Sequence, residues 1–184
     1  MRGVSIPNFI SLGRLLAVPI AVWLILDGNL GIAFWVFVAA GVSDAVDGFL
    51  AKRFDMQTEL GKVLDPLADK ALLVSVYISL GHVGYIPVWL VILVVFRDFV
   101  IVGGIILAHT ISLTMRMKPF IVSKINTLAQ ILLAGIVLAS AGKILDLEMV
   151  IMPMVYLVGV TTFISGAAYL IFWGRFVAVS GDGE

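Results

Sequence analysis

Asp44, Asp47, Asp65 and Asp69 fall in the pattern Asp44-x2-Asp47-Gly48-x2-Ala51-Lys52-x8-Gly61-x3-Asp65-x3-Asp69, inside a chain that is otherwise strongly apolar. Carboxylates set this densely repel one another and resist leaving water, so an apolar chain keeps them together only around something cationic. Oxygen-only donors suit Mg²⁺ or Mn²⁺, whereas a zinc site recruits His or Cys. Cysteine is absent, and the two histidines, His82 and His109, lie away from the cluster in sequence. Two divalent ions beside the basic pair Lys52 and Arg53 suit chemistry on a phosphate or pyrophosphate. The ions bridge the phosphates and stabilise a departing oxygen, while one carboxylate takes the proton of an attacking hydroxyl. Gly48 and Gly61 remove side chains next to the carboxylates and let a bulky phosphate ligand approach the backbone.

The elements that position these residues are set by composition. Of 184 residues, 61% are hydrophobic and 13% charged, and the mean hydropathy is +1.14. Soluble domains are about 45–50% apolar, so an all-α integral membrane protein is expected, acting on a phosphate that a lipid carries. A membrane helix needs about 20 mostly apolar residues, and six segments qualify: 8–27, 30–52, 66–82, 86–111, 123–142 and 149–173. The chain reads as one domain over residues 1–184, with no internal repeat and no removable leader at its start. Lys and Arg collect on the cytoplasmic side of short loops. Here they gather at the first, third, fifth and last ends, while the opposite side has Lys143 alone. Both termini, and with them the aspartates, are therefore expected in the cytoplasm. Residues three and four apart share a helix face, so Asp44 pairs with Asp47 near the end of the second segment, and Asp65 with Asp69 at the start of the third. A short hairpin between those ends lets both pairs converge.

Several residues carry two readings. Asp65 before Pro66 also has the form of a helix N-terminus, Asp as cap and Pro in the first turn. Asp55 and Glu59 read as solvated loop charges. Arg97 and Asp98 sit deep in the fourth segment, where an ionisable side chain faces a partner or a polar cavity. Arg97 there either meets a bound acceptor or forms an internal salt bridge. Ser123, Asn126, Thr127 and Gln130 recur at helical spacing on the fifth segment, a stripe that lines a cavity or bonds one helix to another. Arg116, Lys118 and Lys124 either contact an acceptor phosphate or fix topology beside anionic headgroups.

The aspartate pattern resembles the signature of the CDP-alcohol phosphatidyltransferases, Asp-x2-Asp-Gly-x2-Ala-Arg-x8-Gly-x3-Asp-x3-Asp, with Lys52 where the family usually has Arg. Charge is kept there and the bidentate fork is lost. The resemblance implies a six-helix membrane core in which Asp44, Asp47 and Asp65 ligate two metal ions, and Asp69 completes the site and acts as the base. It further implies that Gly48, Lys52 and Gly61 lie along the CDP moiety and that the protein is a homodimer. Ile6-Pro7-Asn8-x2-Ser11-x2-Arg14 looks like the opening of phosphatidylglycerophosphate and cardiolipin synthases. Phe96-Arg97-Asp98, Lys118-Pro119, Ser123-Lys124-x-Asn126-Thr127-x2-Gln130 and Thr161-Thr162-x2-Ser165 look most like the eukaryotic-type, CMP-forming cardiolipin synthases.

On that resemblance the expected activity is transfer of the phosphatidyl group of CDP-diacylglycerol to phosphatidylglycerol, within phospholipid biosynthesis. Glycerol 3-phosphate is the alternative acceptor. Arg97, Arg116, Lys118 and Lys124 are the candidate acceptor-binding residues, and a bacterial inner membrane is the expected location. A divalent-cation transporter is the rival from another class, because intramembrane aspartates also mark ion pathways. Zero formal net charge argues against a nucleic-acid partner, which calls for a basic face.

Overall fold

A computed structural model describes the backbone of residues 6–53, 59–110 and 121–181, and the side chains of 13–44, 46, 68, 70–103 and 121–171. Six α-helices follow in order: α1 (Ile6–Leu26), α2 (Leu30–Arg53), α3 (Glu59–Val83), α4 (Val88–Thr110), α5 (Ile121–Ala141) and α6 (Glu148–Gly181). No strand occurs among the described residues. Long runs of Leu, Val, Ile and Ala favour this outcome, since a helix satisfies its own backbone where the surroundings offer no partner. Helix α1 packs against both α2 and α3, α5 against α2 and α6, and α4 against α3 and α6.

Five helix starts and five ends fall within two residues of the expected segments. The one displaced start is that of α3, which begins at Glu59 and not at 66. Asp65 and Pro66 therefore lie inside the helix, and the capping reading of Asp65 is corrected. Pro66 is the eighth residue of α3, so its ring suits the helical φ while the helix forgoes one backbone N–H donor there. Glu59, expected in a loop, opens the helix, where a carboxylate faces the positive end of the dipole. Asp55 lies outside the described residues. Helix α6 also runs past 173 to Gly181.

Three helices end alike at the edge away from the aspartates. After α1, the Asn29 N–H donates to the Leu24 carbonyl (2.8 Å) and the Gly28 N–H to that of Ile25 (3.2 Å). After α3, Tyr85 donates to Leu80 (2.9 Å) and Gly84 to Gly81 (3.2 Å); after α5, Ile144 donates to Ala139 (2.9 Å) and Lys143 to Ser140 (3.0 Å). These are Schellman caps, which place one residue in the left-handed region. Gly28 and Gly84 take it at φ 80° and 93°, and Lys143 takes it at φ 56° despite its side chain. At the same edge α2 and α5 touch backbone to backbone. A Cβ on Gly142 would lie 2.7 Å from the Gly31 nitrogen.

The core is apolar at its centre, with Ile25, Val76, Leu80, Leu90 and Leu133 fully buried. Its polar members are unusual: Arg14, Arg97, Asp98, Asn126, Gln130 and Thr162 are also buried, while Trp23, Ile32, Trp35, Phe99, Phe163 and Ile171 face outward. In water that distribution would be inverted. Among the described residues two helices, Ile121–Ala141 and the Glu148–Ile171 part of α6, are long and apolar enough to cross a membrane by length and composition. Trp23, Trp35, Tyr85 and Trp89 are exposed close to the α1–α2 and α3–α4 connections, the placement of an interfacial aromatic belt.

Candidate active site

The signature occupies the last turns of α2 and the first turns of α3. Asp44, Asp47, Gly48 and Lys52 are in α2, and Gly61, Asp65 and Asp69 in α3. The helical backbone keeps Asp44 with Asp47 on one face and Asp65 with Asp69 on another. Of these seven, Asp44 has a described side chain, and the side chains of the other six lie outside the described residues.

Asp44 is held from α1. Its Oδ1 accepts from Arg14 Nη1 at 2.8 Å, with the Arg14 side chain buried and that of Asp44 44% exposed. The carboxylate is thus oriented by a buried cation yet remains open to a ligand. Among the described residues no group of three acidic or histidine side chains is assembled for a metal. The donor chemistry nevertheless fits a hard divalent ion, since Asp44 presents oxygen to an open space and its three signature partners are also carboxylates.

That open space is a cavity of about 670 Å³ running between α2 and α5. One end is polar, with Arg14, Asp44, Lys70 and Thr127 in its wall. From there to Phe34 along α2 the wall is apolar for about 15 Å by helical rise, and α5 faces it with Ile131, Leu132 and Ile136. Val42 and Leu132 line the cavity and are themselves exposed on the bundle's flank. The cavity therefore opens sideways between the two helices.

Behind the polar end lies a connected charge cluster. Asp98 of α4 accepts from Lys70 Nζ of α3 through both oxygens, at 2.8 Å each. Its Oδ1 also accepts from Arg97 Nη1 at 2.6 Å. Arg97 donates through Nε (3.2 Å) and Nη2 (2.9 Å) to Ser165 Oγ of α6, and through Nη2 to Ser123 Oγ of α5. The guanidinium of Arg97 is thus engaged inside the bundle.

The polar stripe of α5 divides. Asn126 Oδ1 accepts from Thr161 and Thr162 hydroxyls, both at 2.8 Å, and Gln130 Nε2 donates to Thr162 Oγ1 at 3.4 Å. These two join α5 to α6, whereas Thr127 faces the cavity. Lys124 is exposed near the start of α5. Arg116 and Lys118 lie outside the described residues.

Sequence reasoning gave Arg14 and Lys70 no role beyond topology. A signal existed for both: Arg14 stands on a helix with no other charged residue, and Lys70 follows Asp69 directly.

The family to which this arrangement points is found by comparison. A model of the CDP-alcohol phosphatidyltransferase family matches residues 4–165. The chain is 34% identical over 182 residues to a cardiolipin synthase (CMP-forming) / mitochondrial hydrolase fusion protein of Schizosaccharomyces pombe, covering 91% of this chain and 31% of that one. It is 34% identical over 152 residues to a cardiolipin synthase (CMP-forming) of Rattus norvegicus, 74% of this chain and 50% of the other. A CDP-diacylglycerol–glycerol-3-phosphate 3-phosphatidyltransferase of Bacillus subtilis is 32% identical over 144 residues, 70% of this chain and 73% of the other. The chain thus spans half or less of the length of the first two. By the family match and by the similarity to the Bacillus enzyme, the chain belongs to the CDP-alcohol phosphatidyltransferase family.

Proposed function

We propose that this protein transfers the phosphatidyl group of CDP-diacylglycerol to an acceptor hydroxyl and releases CMP, working as a six-span bundle with both termini in the cytoplasm. The observation that carries this reading is the cavity, which sets a signature carboxylate, Asp44, at the polar end of a long apolar groove open to the side. An amphiphile with a phosphate head and acyl chains matches that shape, and the outward-facing apolar surface suits lipid around it.

In this reading Asp44, Asp47, Asp65 and Asp69 hold two ions, Mg²⁺ or Mn²⁺, which when bound supply Lewis acidity toward the phosphates. Gly48, Lys52 and Gly61 lie along the CDP moiety. Asp69 removes the proton of the acceptor hydroxyl as its oxygen attacks the lipid-bearing phosphorus, and CMP leaves. Arg14 keeps the Asp44 carboxylate turned to the site. Lys124, Arg116 and Lys118 are the acceptor-side cations, with Arg97 acting from the interior. The protein works as a homodimer in a bacterial inner membrane, with its site on the cytoplasmic face.

The preferred acceptor is phosphatidylglycerol, giving cardiolipin, because the apolar wall and lateral opening suit a lipid more than a small dianion. Glycerol 3-phosphate is the second reading, favoured by similarity to the Bacillus enzyme. Purified protein in detergent, given CDP-diacylglycerol and Mg²⁺ or Mn²⁺, is expected to release CMP and form cardiolipin from phosphatidylglycerol, identified by lipid mass. Phosphatidylglycerophosphate formed from glycerol 3-phosphate instead would keep the reaction and replace the acceptor. No CMP release with either would overturn the reading.

A further inference from the structure

Two cations bond one buried carboxylate in this bundle. Asp98 already has Arg97 at 2.6 Å, yet Lys70 reaches it as well, at 2.8 Å to both oxygens. The environments of the three groups differ. The Asp98 and Arg97 side chains are nearly inaccessible, while that of Lys70 is 29% exposed and stands in the cavity wall with Arg14, Asp44 and Thr127. Asp98 therefore serves Lys70 more than Lys70 serves Asp98. A lysine stem is long and flexible, and an ammonium that must meet a ligand in one place gains from being fixed beforehand.

The frame behind Asp98 is built for that fixing. Arg97 donates to Ser165 on α6 and to Ser123 on α5, so the carboxylate is braced from three helices and the ammonium from a fourth. We propose that Lys70, fixed by Asp98 and the Arg97–Ser123–Ser165 frame, is the cation that receives the phosphate of a phospholipid held in the cavity between α2 and α5. Asp98, Arg97 and the two serines are positioning residues that act through Lys70. The phosphate belongs to the donor or to a lipid acceptor, since both carry one. This inference rests on the phosphatidyl-transfer reading for its ligand and not for its geometry.

The test uses the full chain in detergent with CDP-diacylglycerol and phosphatidylglycerol varied separately, alongside native mass spectrometry of bound phosphatidylglycerol, CDP-diacylglycerol and diacylglycerol, the last being the same lipid body without phosphate. In Lys70→Met the KM for one phospholipid is expected to rise about tenfold or more with kcat changed little, the split that marks lost ground-state binding. Binding of that phospholipid should fall while diacylglycerol binding persists, and the KM that moves identifies the source of the phosphate. Lys70→Arg should restore most of the affinity, and Ser165→Ala should raise the same KM by a smaller factor. A fall in kcat with both KM values and all lipid binding unchanged would overturn the proposal. Should Lys70→Met not fold, Ser165→Ala decides alone: a raised KM supports the frame and an unchanged one overturns it. If the wild type releases no CMP, the transferase reading fails separately, and the loss or retention of phosphate-dependent binding in Lys70→Met still decides the role of Lys70.

Discussion

Arg14 and Arg97 are both buried and both bond an aspartate, yet the two pairs are built in opposite senses. At Arg14 the arginine is enclosed and its carboxylate, Asp44, is nearly half exposed at the cavity. At Arg97 both partners are enclosed, and the exposed group is a third one, Lys70. On the roles proposed above, the cation is scaffold and the carboxylate works in the first case, and in the second the carboxylate is scaffold and a cation works. The difference teaches that burial and function separate within a salt bridge. On the proposed roles, the partner left facing the cavity is the one to meet the ligand, and the enclosed partner sets its direction.

The contrast breaks most visibly at Asp98. Asp98→Ala leaves Arg97 buried without its carboxylate, and uncompensated buried charge costs about 3–5 kcal/mol, so a large drop in the midpoint of unfolding in detergent is expected. An unchanged midpoint would mean that the pair is not scaffold. Arg14→Gln sharpens the other side. Its carboxylate is already solvated, so stability should fall less than in Asp98→Ala, whereas loss of an orienting partner of a metal ligand weakens metal binding by about 10–100-fold. Titration of Mn²⁺ followed by the resonance of the free ion reads this directly. A melt as severe as that of Asp98→Ala with normal Mn²⁺ affinity would make the two pairs equivalent. The smallest effect is expected far from both, at Lys143. A non-glycine residue in the left-handed region costs about 1–2 kcal/mol, so Lys143→Gly should stabilise by about 1 kcal/mol, net of the added chain freedom of glycine, while Mn²⁺ affinity and CMP release stay unchanged. Altered activity there would tie the far edge of the bundle to the site.

The sequence made the six helices legible because each apolar run is long and each break carries its own turn chemistry, such as Asp27-Gly28-Asn29. It misplaced the start of α3 because Asp65-Pro66 imitates a helix beginning, and the apolar criterion gave no weight to the polar turns from Glu59 to Lys62. The aspartate signature stood out because four carboxylates in an apolar chain demand a reason. The parts around it did not. Lys70 and Asp98 are 28 positions apart, and periodicity along one helix says nothing of a partner on another. Arg97 and Asp98 were adjacent in sequence, yet neighbours at i and i+1 do not face each other on a helix, so their bond depends on the length and reach of the arginine stem. Asn126 and Gln130 offered two readings of equal physical sense, and the position of α6 gives them Thr161 and Thr162 as partners.

The backbone contact of Gly31 with Gly142 bears on how the groove between α2 and α5 can be used. These residues sit where α2 and α5 begin and end at the edge remote from Asp44, and their separation leaves no room even for a methyl group. At that edge the two backbones close against each other, while the cavity beside them opens on the flank. On the phosphatidyl-transfer reading such a space suits a workbench, into which an acyl tail is threaded from the flank and from which it is withdrawn the same way.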